Sequence, residues 1–137
     1  MSGGDADLVA LARSLVGSAT GGEQIEVAVG RSTSTSVKVF GGEVESFTSA
    51  STDGAGVRVI RDGRQGFAHC GSLEPDVLAE TLAEARDNCR FAEPDEFNGL
   101  AEPDGVAPVA QDGWSDAVVA LGNDAKVGIA LELERLT

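Results

Sequence analysis

The stretch Val37–Cys70, VKVFGGEVESFTSASTDGAGVRVIRDGRQGFAHC, decides the fold. It holds the two-residue turn signals Gly41-Gly42, Asp53-Gly54 and Asp62-Gly63, each between β-rich runs. Gly-Gly and Asp-Gly pairs suit type I′ turns, whose two central residues both take positive φ and whose twist matches that of the strands they join. Three such turns in succession predict an antiparallel meander. A two-residue loop also sets the register, because it fixes which residues face each other. Around the first turn Val39 faces Val44 and Lys38 faces Glu45. Around the second, Ala50 faces Val57, Thr48 faces Val59 and Phe47 faces Ile60. Around the third, Arg58 faces Phe67 and Val57 faces Ala68. Val37, Val39, Val44, Ala50, Val57, Val59 and Ala68 then share one apolar face, the expected core side. The opposite face gathers Phe47, Ile60 and Phe67 with Arg58. Large apolar groups exposed together beside an arginine make it either a partner-docking face or a face that the last helix or the connector covers from within the chain.

Working outward, Leu8, Val9, Leu11, Ala12, Leu15 and Val16 recur at helical spacing, with Ser2 or Asp5 as cap and Gly17 as stop. Ile25, Val27 and Val29 alternate as a first strand, which Gly30 and Arg31 turn into the run Arg31–Ser36, a solvated extension of the next strand. On the other side, Ser72 and Pro75 open a second helix toward Arg90, with Val77, Leu78, Leu82, Ala85 and Cys89 on one side. The expected class is α+β: a mainly antiparallel sheet of about five strands with two helices packed on one face. From Ala92 to Gly113 the chain has three of its four prolines, six acidic residues and no basic one, the composition of a stiff extended connector. Phe97, Leu100, Val106 and Val109 are expected to pin it, and Asn123-Asp124 to cap a last helix reaching Leu136. The expected organisation is a sheet domain over 1–91, a connector over 92–113 and a helical segment over 114–137. The last helix runs out without a cap, as if leading into a further domain.

Ten Lys+Arg against 23 Asp+Glu give a formal net charge of −13, which opposes binding to nucleic-acid phosphates or anionic lipid. No run approaches the ~20 apolar residues of a membrane span, and the acidic start MSGGDADLV lacks the basic region of a signal peptide, so the cytoplasm is the expected location. Cys70 and Cys89 have no CxxC spacing and read as reduced thiols, a disulfide between them being left open by the sequence. His69 is the single histidine, and its neighbour Cys70 points to the other side of a strand; no zinc site can be completed from such a set. A Ser-His-Asp arrangement has no more support than that one imidazole. The run Asp53-Gly54-Ala55-Gly56 opens no helix, so it lacks the orphan amides of a phosphate loop. Arg58, Arg61 and Arg64 form the one basic cluster, and the opposed pair Arg61 and Arg64 needs either solvation or an acidic partner.

The ordered segments Gly42-Glu43-Val44-Glu45-Ser46, Asp53-Gly54-Ala55-Gly56-Val57-Arg58-Val59, Asp62-Gly63-Arg64-Gln65-Gly66-Phe67-Ala68 and Gly99-Leu100-Ala101-Glu102-Pro103 resemble the N-terminal domain of the PmbA/TldD family. The likeness runs from Leu8 to Pro103, and the Gly-Gly-Glu-Val-Glu-Ser and Gln-Gly-Phe-Ala wording looks nearer PmbA/TldE than TldD. It implies a subunit of a cytosolic bacterial zinc metalloprotease that works as a TldD/TldE heterodimer, trims peptide precursors and degrades antitoxin-like proteins. The family's zinc motif, HExxxH, lies far downstream in TldD-type members and is absent from PmbA/TldE-type ones. It is absent here too, so no catalytic, cofactor or metal residue carries over, and zinc is expected only in a catalytic partner subunit. The resemblance thus implies a scaffold and binding domain whose partner is a TldD-like subunit or a missing C-terminal domain. Two alternatives stand beside it: the N-terminal fragment of a catalytic TldD-type protease, and a free-standing protein-binding adaptor, with a homodimer as a further arrangement. The family's older label, modulator of DNA gyrase, gains no support as direct DNA binding from so acidic a chain.

Overall fold

The computed structural model describes residues 3–107, 109 and 113–137. Their elements are α1 (Gly3–Val16), β1 (Gln24–Phe40), β2 (Glu43–Arg61), β3 (Arg64–Cys70), α2 (Pro75–Phe91), α3 (Asp116–Val119) and α4 (Asn123–Leu136). The strands form one three-stranded sheet in the order β1-β2-β3, so the α+β class holds with fewer strands than the turn signals predict.

Two of the three turns form. Gly41 and Gly42 have φ of 62° and 81°, and Asp62 and Gly63 have 51° and 71°, the left-handed pair that a type I′ hairpin needs. The second hairpin keeps the expected register, Arg58 opposite Phe67 and Val57 opposite Ala68. Asp53-Gly54 is no turn. It lies inside β2, where the Asp53 carboxylate takes an ion pair from Arg31 at 2.9 Å, so the Asp-Gly signal is overridden by a cross-strand partner. The pairings of Ala50 with Val57, Thr48 with Val59 and Phe47 with Ile60 therefore do not exist. Gly30 and Arg31 likewise do not divide the first strand, which continues unbroken through the Ser/Thr run.

The chain divides into two compact units, residues 1–31 with 52–107 and residues 32–51 with 108–137. In the first, Ile25, Val57, Val59 and Ala68 from the sheet pack with Leu82, Ala85 and Cys89 from α2, and Leu15 and Val27 close the margin. Leu78 and Thr81 of α2 are buried as well, the Thr81 hydroxyl donating to the Val77 carbonyl at 2.7 Å. The helix approaches the sheet most closely at Gly66, where a Cβ would lie 2.1 Å from the Ala85 oxygen and 2.2 Å from the Cys89 nitrogen. Only a residue without a side chain fits beneath that backbone. Ser72 does not cap α2 directly; its hydroxyl accepts from the Glu74 N–H, and Glu74 is the N-cap residue.

The start of the connector is held by hydrogen bonds to the Gly63 carbonyl and the Gln24 side chain. Asp95 N–H and the Asn98 amide both donate to the Gly63 carbonyl at 2.8 Å, and Leu100 N–H donates to Gln24. Phe97, Val106 and Val109 are instead exposed, at 87%, 74% and 84%, while Leu100 is half-buried. The cap expected from Ser2, the side chain of Asp5, and connector residues 108 and 110–112 lie outside the described residues.

In the second unit, Glu134 of α4 reaches the first hairpin turn. Its two carboxylate oxygens accept from Gly41 N–H at 2.8 Å and Gly42 N–H at 2.9 Å, satisfying both amides that the turn points outward. Glu134→Ala is expected to raise the hydrogen-exchange rate of those two amides by about tenfold, since the charged acceptor holding them is removed. Unchanged exchange would show that the contact holds nothing.

Candidate docking face

Alternation along β2 and β3 sends Val57, Val59, Gly66 and Ala68 toward α2 and leaves Arg58, Ile60, Phe67 and His69 on the other face. Phe67 is 54% exposed, and its ring lies over Gly56, where a Cβ would come within 3.2 Å of it. Glycine at that position gives the aromatic ring room to lie along the sheet. The ring also stacks on His69, with centroids 6.0 Å apart and planes at 21°. Beside it, Arg58 forms an ion pair with Glu26 at 2.6 Å and a longer contact with Gln65 at 3.5 Å, while its Nε is buried without a partner. The result is a half-sunk cation flanked by an exposed aromatic pair.

Of the four residues expected on this face, the structure brings Arg58 and Phe67 together as a register pair. Ile60 is only 3% exposed and belongs to the buried set, so it offers no surface. Phe47, 39% exposed, sits in the other unit at the far end of β2, because the turn that would have folded it onto Ile60 does not form. His69 was missed as a member of the face. Its signal was its place two residues from Phe67 in one strand, which puts both rings on the same side.

Cys70 and Cys89 are both free thiols, donating to the carbonyls of Ser72 and Arg64 respectively. Among the described residues no three His, Cys, Asp or Glu side chains are placed to hold a metal ion, and both thiols donate to carbonyls. Sequence reasoning also missed the tie between Glu23 and Arg86. The guanidinium donates to both carboxylate oxygens and, through Nη2, to the Ser18 carbonyl at 2.9 Å. No local pattern links two residues so far apart in the chain. No helix of the described residues is long and apolar enough to cross a membrane.

Comparison with known proteins finds similar sequences and similar folds. The sequence profile described as PmbA/TldA metallopeptidase domain 1 matches residues 25–89. Metalloprotease PmbA of Escherichia coli O157:H7 is 36% identical over 87 residues, covering 64% of this chain and 19% of that protein. An uncharacterized protein of Methanocaldococcus jannaschii is 31% identical over 87 residues, covering 62% of this chain and 20% of its own length. The chain thus spans about a fifth of the length of these curated relatives. In fold it is similar to the crystal structure of TldE from Thermococcus kodakarensis, with a TM-score of 0.61 at 22% identity over 87% of this chain and 25% of that one. A protein from Thermotoga maritima described as a modulator of a DNA gyrase gives a TM-score of 0.63 at 19% identity, over 93% of this chain and 27% of that one. Motif order, matched stretch and fold agree in making residues 25–89 similar to the first domain of PmbA/TldD proteins, and PmbA/TldE-like among them.

Proposed function

We propose that the chain is the N-terminal scaffold and binding domain of a non-catalytic, PmbA/TldE-type subunit in a TldD/TldE zinc metalloprotease that matures peptides and degrades antitoxins. The observation that carries this reading is the 36% identity to Metalloprotease PmbA over 87 residues. The TldE-like fold supports it. In this reading the enzyme works in the cytoplasm and zinc sits in a TldD-type partner. The face built from Phe67 and Arg58 meets the remainder of its own subunit. That occupant is favoured because four-fifths of each curated relative lies beyond the matched region, and an exposed aromatic next to a half-buried arginine is the composition of an interface centre.

The test is a graft. Residues 25–89 replace the matched stretch of the Escherichia coli PmbA relative, and the chimera is assayed with a zinc-containing TldD-type subunit on a peptide substrate. Cleavage is expected to persist in the chimera, to fall when Phe67→Ser is added, and to be absent from this chain alone with zinc. Hydrolysis by the chain alone, or a folded chimera that supports no cleavage, would overturn the assignment.

A further inference from the structure

On the helix-covered side of the sheet, the Asp62-Gly63 turn and the last turns of α2 surround a cavity of about 270 Å³. Arg61, Arg64, Arg86 and Arg90 line it, four of only ten basic residues in a chain of net charge −13, with Glu23 and Asp62 as the acidic side chains among them. Such concentration needs a reason, and the partners of each guanidinium supply one. Arg86 is spent on Glu23 and Ser18, and Arg90 pairs with Asp87 at 2.7 Å. Arg61 has only Asp62, at 3.6 Å and in open solvent, while its guanidinium lies against the left-handed backbone of Gly21. Arg64 is half-buried and has no carboxylate partner among the described residues; its Nη1 donates to the Ala92 carbonyl at 2.6 Å and more weakly to that of Arg90.

Arg61 and Arg64 stand directly opposite each other across the hairpin. Like charges so placed repel, and an anion held between them removes that cost. We propose that Arg61 and Arg64 bind the carboxylate of a small ligand or peptide in this cavity. A planar carboxylate matches the guanidinium fork, accepting parallel N–H bonds. The acidic field of the whole chain opposes a dianion more than a monoanion, which favours carboxylate over phosphate. The cavity is just below the size of ordinary ligand pockets, enough for the end of a peptide or one acidic side chain.

Nitrogen-15 NMR of the arginine Nε–H groups in the full chain tests this, with three probes: acetyl-dialanine bearing a free carboxylate, its C-terminal amide, and inorganic phosphate. A parallel titration with an amidated peptide carrying one internal glutamate separates a chain terminus from a side chain as the source. Saturable shifts at Arg61 and Arg64 are expected with the carboxylate probes, none with the dialanine amide, and weaker binding of phosphate. Arg61→Gln is expected to weaken binding about tenfold without lowering the thermal midpoint, because Arg61 makes no bond that the fold uses and its loss relieves the repulsion from Arg64. Arg64→Gln is less clean, since it also frees the carbonyls at the end of α2. Equal shifts with the amide, tighter binding of phosphate, no saturable shift, or wild-type affinity in Arg61→Gln would each overturn the proposal.

Discussion

Gly66→Ala is expected to cost about 3 kcal/mol of stability, a large part of the ~5 to 15 kcal/mol available to a domain. The new methyl would meet the Ala85 oxygen at 2.1 Å, the Cys89 nitrogen at 2.2 Å and the Cys89 Cα at 2.8 Å. All of these are main-chain atoms of α2, so no rotamer change can relieve the clash. Either the helix lifts from β3, opening the core around Val57 and Ala85, or the strand bends and loses ladder bonds. Gly30→Ala is the control: nothing lies within 4 Å of a Cβ there, and its effect should stay within about 0.5 kcal/mol. Urea midpoints of the two variants at constant slope decide the matter. A wild-type midpoint in Gly66→Ala would mean that α2 does not rest on the strand as described.

Arg86→Ala is the second large effect, about 3 kcal/mol near neutral pH, because it leaves a carboxylate whose side chain is 6% exposed without its cation. The hydrogen bonds from Arg86, chiefly, hold the Glu23 carboxyl below its ordinary value; burial opposes them and the Thr20 N–H adds to them. A folded-state pKa below the unfolded value contributes stability that is fully present above the unfolded value of about 4.5 and is lost as pH falls through the folded value. The advantage of wild type over Glu23→Gln should therefore shrink with acidification below that point. In Arg86→Ala the largest lowering influence is gone and burial, which favours the protonated form, is opposed only by the Thr20 hydrogen bonds, so less stability is lost on acidification. That variant should recover ground on wild type as the pH drops, which urea midpoints over the same range would reveal. Parallel acid limbs in the two proteins would rule out the pair as the cause.

The sequence was most legible where local chemistry and tertiary packing agree. Asp62-Gly63 and Gly41-Gly42 need positive φ at both residues and have it, and the side-chain period of two then placed Val57, Val59 and Ala68 in the core. The same rule misled at Asp53-Gly54, where the dipeptide is as good a turn former but the chain has something better to do. Arg31 waits across the ladder, and the Ser/Thr run of β1 needs a strand of matching length beside it, which only an unbroken β2 supplies. The clue was available in the length of the Arg31–Ser36 run, which no short hairpin could have paired. Phe67 and Arg58 were placed correctly because their hairpin was right. Phe47 and Ile60 were joined only through the false turn. The Arg61–Arg64 opposition was visible from the third turn, whereas the cavity beside it depends on α2 returning across the sheet, a long-range event that no window of sequence contains.

The consecutive order β1-β2-β3 carries a consequence for how the chain acquires its structure. Every strand pairs with its immediate successor through a two-residue link, so closing each ladder joins residues already near one another and costs little loop entropy. Hairpins of this kind close in roughly 1 to 10 μs, and zipping away from Gly41-Gly42 and Asp62-Gly63 needs no distant segment. Contacts that span the whole meander, α1 against α2 and Glu23 with Arg86 among them, must wait until the sheet has formed. Side chains of α1 would then act late, governing how fast the native state comes apart, while the two turns govern how fast it forms.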